Sequence, residues 1–130
     1  MESIKSAEIG PRHIDVAWAA GLIDGEGSLA FYSSAIIAVD IGCIAVVKRL
    51  HEIFGGKMSV SGQMTKKVKP RFRWKVYSKH ACEEAEELTP FLVEKKEQAI
   101  LLSKIYRYPS HSEMRKSVVR RLGELKRTPS

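Results

Sequence analysis

Residues 71–77 read Arg-Phe-Arg-Trp-Lys-Val-Tyr, an unbroken alternation of cationic or polar and apolar side chains. In an extended strand successive side chains point to opposite faces. Phe72, Trp74 and Val76 therefore share one face, and Arg71, Arg73, Lys75 and Tyr77 share the other. The apolar face demands a covering layer, while the cationic face must stay open to water or to a polyanion. Sheets with one covered and one open face are antiparallel. One strand thus steers the whole chain toward an α+β fold, with helices on one side of an antiparallel sheet and a basic surface on the other.

The rest of the chain supplies matching pieces. Residues 1–12 form a mixed polar N-terminal tail, and residues 13–130 a single domain, the size one compact core can serve. The spacing of Ile14, Ala17, Trp18, Gly21 and Leu22 predicts a helix over 13–23, stopped by Asp24-Gly25-Glu26-Gly27. Strands are predicted over 28–33 and 35–41. A second helix spans 43–54, with Gly55-Gly56 as its stop. A second hairpin pairs 57–62 with 71–77. Helices then follow over 79–88 and 93–107, and a basic C-terminal helix occupies about 110–126. Trp18 and Trp74 are expected in the core.

Charge narrows the partner. The chain carries 22 Lys and Arg against 15 Asp and Glu, a formal net charge of +7. Between Lys57 and Lys79 there are eight cations and no carboxylate, which is unusual for a merely solvated surface. A one-sign stretch of this length suits a phosphate backbone. No apolar run is long enough to span a bilayer, so no membrane partner is expected. Residues 1–12 lack the apolar stretch of a signal peptide. Cys43 and Cys82 have neither zinc-ligand nor disulfide-framework spacing. They are expected as buried or half-buried thiols in an intracellular, reducing compartment. The four histidines have no mutual spacing suited to a metal and are expected at the surface or as caps.

The segment Ala19-Ala20-Gly21-Leu22-Ile23-Asp24-Gly25-Glu26-Gly27 resembles the motif that names the LAGLIDADG homing endonucleases. Gly21, Leu22, Ile23, Asp24 and Gly27 match it directly, and Glu26 stands for its final aspartate. The similarity extends over about residues 15–106. It includes Gly27-Ser28-Leu29 at a strand start, His51-Glu52-Ile53-Phe54-Gly55-Gly56 at a helix end, and Leu88-Thr89-Pro90-Phe91-Leu92 with Lys95-Lys96-Glu97-Gln98-Ala99 later. The resemblance implies an αββαββα fold and a site-specific endonuclease that hydrolyses double-stranded DNA across the minor groove, leaving short 3′ overhangs. Only one motif is present, so it further implies the single-motif, homodimeric type acting on a near-palindromic site.

By the same resemblance Glu26 holds the divalent cation, Mg²⁺ or another such as Mn²⁺. Lys95 stands near the attacking water, with Lys96 as the alternative occupant of that position. Asp40 falls roughly where the family carries a polar residue beside that water. Ala17, Ala20, Gly21 and Asp24 are assigned to the dimer interface, where small side chains let two helices approach closely. Asp24 is expected to be structural, accepting backbone or cross-dimer hydrogen bonds. DNA contacts are expected from Ser28 and Tyr32 in the first hairpin, and from Ser59, Ser61, Lys66, Lys67, Arg71, Arg73 and Lys75 in the second. The groove-facing positions of the first hairpin are short and poor in Arg, Lys, Gln and Asn. Base readout is therefore assigned mainly to the second hairpin. Two other readings fit the same residues: a cleavage-inactive repressor or intron maturase of this fold, or an RNA-binding protein.

Overall fold

The computed structural model describes residues 10–61 and 69–127. Helix α1 (Pro11–Glu26) leads into β1 (Gly27–Phe31) and β2 (Ala35–Ile41), then α2 (Ile44–Phe54). Strands β3 (Lys57–Ser61) and β4 (Arg71–Tyr77) follow, then α3 (Ser78–Leu88), a short 3₁₀ turn at Thr89–Phe91, α4 (Lys96–Lys104), a second 3₁₀ turn at Ile105–Arg107, and α5 (Glu113–Arg127). The four strands form one antiparallel sheet in the order β1-β2-β4-β3. The fold is α+β, as the alternation in β4 requires.

Register follows from burial. Ile37 pairs with Leu29 on one side and Val76 on the other, and Val39 pairs with Trp74. All five side chains are buried on the helix-covered face. Trp74 is fully enclosed, its indole N–H donating to the Gly55 carbonyl at 2.8 Å and its ring beside Phe54. Helices α1 to α4 complete this core with Val16, Ile23, Leu50, Leu88 and Leu102. Helix α5 adds Val118 and Leu122, packing against α4 and β1.

Helix α1 runs longer at both ends than its apolar spacing predicts. Pro11 sits at its first position, where its missing N–H costs nothing and its fixed φ is already helical. At the other end the helix continues through Asp24 and Gly25 to Glu26, and the Gly27 N–H closes onto the Ile23 carbonyl. A Cβ on Gly27 would lie 2.9 Å from the Ile23 Cα, whereas one on Gly25 would meet nothing within 4 Å. Only the second of the two glycines is therefore needed for the helix-to-strand junction. Farther on, Gly56 takes φ 91° with its Cβ position 2.5 Å from the Lys75 carbonyl oxygen, so the stop of α2 is fixed by backbone contact. Ser78, at φ 56°, turns β4 straight into α3 without a loop.

Other expectations shift. Strand β1 ends at Phe31, and Tyr32, Ser33 and Ser34 form the hairpin loop. Residues 92–95 lie outside any helix, so α4 begins only at Lys96. Cys43 is exposed, not buried, because it sits at the N-cap of α2; Cys82 is buried, and both thiols are free. Trp18 is half-buried, with the Arg49 guanidinium 4.1 Å from its ring centroid.

Candidate nucleic-acid interface

The end of α1 is tied to the segment before α4. One carboxylate oxygen of Asp24 accepts the Val93 N–H at 2.8 Å, and the other accepts the Lys95 N–H at 3.0 Å. The Lys95 ammonium then donates back to the Asp24 main-chain carbonyl, one of the acceptors a helix C-terminus leaves without an intrahelical partner. Asp24 thus anchors its own chain. Lys95, half-buried, is carried to the end of the motif helix, while Lys96 is an exposed first residue of α4. Glu26 closes α1 with its side chain exposed.

Glu26 opens onto the uncovered face of the sheet. A recess there is lined by Glu26, Gly27, Ser28, Tyr32, Ile36, Ala38, Asp40, Arg73 and Lys75. The strand pairings Ser59 with Arg73 and Ser61 with Arg71 extend the same face to the far edge. The structure therefore brings Glu26 together with Ser28, Tyr32, Arg73 and Lys75. It carries Ser59, Ser61 and Arg71 onward from there. Ala30 shares this face but is buried, which leaves the first hairpin to offer mainly Ser28 and Tyr32. Lys66 and Lys67 lie outside the described residues.

Asp40 takes a place that its assignment beside the attacking water did not anticipate. It pairs across the sheet with Arg73. Its Oδ1 accepts the Arg71 Nε–H at 2.8 Å, and its Oδ2 accepts the Arg73 Nε–H at 3.0 Å and faces Arg73 Nη2 at 2.9 Å. The Asp40 main-chain carbonyl accepts a further N–H from Arg71 at 2.9 Å. Burial alone would raise this carboxyl's pKa, but Arg71, Ser61 and Arg73 outweigh it and hold it below the ordinary aspartate value. Both oxygens of this carboxylate are thus engaged by guanidinium groups, in an ion pair across the sheet at the edge of the recess that Glu26 lines.

On α1 itself two apolar stripes face apart. Val16, Ala19, Ala20 and Ile23 are buried in the core. Ala20 is completely enclosed, so its assignment to a dimer interface is corrected: it packs within its own chain. Ala17 and Gly21 are exposed on the outer side, beside Ile14, which is 57% exposed. Nothing lies within 4 Å of a Cβ built on Gly21.

Two clusters had no sequence signal because their members lie far apart in the chain. The Lys126 ammonium donates to the Tyr32 hydroxyl at 2.9 Å, and Arg115 lies over the Phe31 and Tyr106 rings, so α5 borders the first hairpin. In the second cluster Arg12 binds Glu87 through two N–H donors at 2.7 and 2.8 Å and donates to the Ile53 carbonyl at 2.6 Å. The buried Glu84 lies 3.9 Å from the same guanidinium and 3.5 Å from His80 Nε2.

The donor set bears on a metal. Among the described residues no three His, Cys, Asp or Glu side chains converge. A hard cation needs no such cage, since it takes one or two carboxylates and completes its shell with water and phosphate oxygens. Glu26 is exposed and is the carboxylate in the recess whose oxygens are not held by arginine.

No protein-family model matches the chain, and no curated protein matches it in sequence. Solved structures do match. The homing endonuclease I-CvuI, in complex with the I-CreI target, aligns over 92% of this chain and 86% of its own with a TM-score of 0.70 at 17% identity. The archaeal intron-encoded homing endonuclease I-Vdi141I, complexed with DNA, aligns over 90% and 87% with a TM-score of 0.68 at 12% identity. A point mutant of I-SmaMI aligns over 86% of this chain but 42% of its own, with a TM-score of 0.52 at 20% identity. This chain therefore has the fold of the homing endonucleases.

Proposed function

We propose that the chain is a site-specific endonuclease that binds double-stranded DNA on its open sheet face and cleaves it as a homodimer, using Mg²⁺ or a similar divalent cation. The observation that carries this reading is the position of Glu26. It is an exposed carboxylate at the end of α1, at the mouth of a recess whose other charged members include Arg73 and Lys75. A scissile phosphate drawn in by the cations arrives next to the one carboxylate of the recess free to hold a metal. The bound ion would activate water and stabilise charge on the departing oxygen. Lys95, fixed by Asp24 at the end of the same helix, supplies a positive charge to steady the attacking water or the transition-state phosphate.

One chain offers one Glu26, and cutting two strands takes two. Small Ala17 and Gly21 on the outer stripe of α1 support close pairing of two such helices, which would bring both Glu26 residues to a common dyad. The near-palindromic site follows from that symmetry. Structural likeness to nucleases solved on DNA supports the same reading. The test is cleavage of a randomised duplex library with Mg²⁺ by wild type and Glu26→Gln. Cutting by wild type alone, with binding kept in the variant, is the expected result. Tight, salt-sensitive binding without cutting in Mg²⁺ or Mn²⁺ would overturn the enzyme and leave a binding module.

A further inference from the structure

The geometry points to Asp40 as a positioning and specificity-determining residue: it fixes Arg71 and Arg73 on the open sheet face as pre-aimed base readers and lowers the pull of that face on DNA of any sequence. The inference rests on the DNA-binding reading of that face and deepens it.

An arginine on an exposed strand is long, and ordering it on a base edge costs rotamer entropy each time DNA binds. Asp40 has removed much of that cost in advance. Arg71 spends its Nε–H on Oδ1 and one Nη2 hydrogen on the Asp40 carbonyl. Arg73 spends its Nε–H on Oδ2, which also lies 2.9 Å from its Nη2 as an ion pair. Each guanidinium has five N–H donors, so Arg71 keeps three and Arg73 four, and each keeps its Nη1 group whole. Free donors of this kind can meet the O6 and N7 acceptors of guanine in the major groove. Both arginines stay accessible, with about half of the Arg71 side chain and two-fifths of the Arg73 side chain exposed.

Phosphate contacts are blind to sequence and dominate non-specific affinity. A carboxylate held between two guanidinium groups offsets part of their charge without withdrawing their remaining donors. Phosphates then gain less from this face, while a base offering two acceptors in the right place still gains hydrogen bonds. Asp40 therefore raises the ratio of specific to non-specific binding at the expense of total affinity.

The experiment compares wild type with Asp40→Asn, which keeps the shape and removes the charge, and with Asp40→Glu, which restores it. Binding is measured without divalent metal, on a sequence-randomised duplex over a salt series and on the duplex selected by wild type. Asp40→Asn should bind the randomised duplex about tenfold more tightly, with a log K against log salt slope steeper by about one contact. Its selected-to-random ratio should fall about tenfold, and Asp40→Glu should recover most of it. On the free protein, the Arg71 and Arg73 Nε–H signals in ¹⁵N NMR should be protected from exchange in wild type and lose that protection in Asp40→Asn. Wild-type binding with an unchanged ratio and slope in Asp40→Asn would overturn this role alone. Failure of wild type to bind any duplex would overturn the DNA reading beneath it.

Discussion

Lys95 reaches back across the fold to the main-chain carbonyl of Asp24, while the Asp24 carboxylate holds the Lys95 N–H. The two residues lie 71 positions apart and make a reciprocal clasp between the end of α1 and the start of α4. Each half of this clasp has a different consequence when broken.

Asp24→Ala removes the acceptor of two main-chain N–H groups, so it should destabilise the fold by about 1–3 kcal/mol in urea denaturation. Lys95→Met keeps the aliphatic stem and loses one hydrogen bond, at a cost of about 1 kcal/mol. In Mg²⁺ it should cut DNA at least tenfold more slowly while binding it normally. A variant that melts like Asp24→Ala but cuts like wild type would place Lys95 in a purely structural role.

The two glycines at the end of α1 should part ways. Gly27→Ala forces a Cβ against Ile23 backbone, and an over-packed site of this kind costs about 1–3 kcal/mol. Gly25→Ala enters open space inside a helix and should stabilise by about 0.5 kcal/mol or more. Equal melting temperatures for both variants would contradict the geometry at this junction.

Gly21→Ala tests assembly apart from folding. Within one chain the added methyl meets nothing, and a helical alanine replaces a glycine, so the isolated chain should gain about 0.5–1 kcal/mol. Across a close helix–helix seam the same methyl would push the partners apart. Sedimentation at micromolar concentration should show a wild-type dimer and a weakened one in the variant. An unaltered dimer would remove α1 from the interface.

Glu84 gives stability an alkaline limit. Burial, reinforced by Glu87 and opposed by Arg12, pushes its carboxyl up to about 8. The folded chain thus keeps a proton that the unfolded chain releases near the ordinary value of 4.5. Its contribution is complete below that value and is lost as pH rises through about 8. Glu87, lowered by its hydrogen bond from Arg12, works in the opposite sense and loses its contribution on acidification. Between pH 6 and 9 the melting temperature of wild type should therefore fall, by roughly 6–10 °C for a loss of about 2 kcal/mol. Glu84→Gln should flatten that decline, with its largest gain at pH 9. A wild-type curve flat to pH 9 would show that Glu84 ionises at no cost.

Local chemistry carried the sequence reading a long way. The alternation in 71–77, the double glycine after Phe54 and the helical spacing of α2 were legible because period and turn chemistry act over a few residues. The stripe of Ile14, Ala17, Trp18 and Gly21 did identify a helix. It is, however, the less buried of two apolar stripes, and only packing tells them apart. The ion pairs of Asp40 were not legible for a related reason. Its partners come from β4, and the crossover that places β4 beside β2 instead of β3 leaves no trace in local sequence. The Arg12–Glu87 pair was hidden in the same way, being 75 positions apart.

Strand β4 interleaves two duties along seven residues. Phe72, Trp74 and Val76 hold the core, while Arg71, Arg73 and Lys75 meet the outside. Odd and even positions can therefore be exchanged independently. A lineage could rewrite the odd positions one by one and acquire new targets without revisiting the foundations of the fold, and a designer could do the same. A one-residue insertion upstream in the strand would be far more damaging, because it would swap the two duties at every position beyond it.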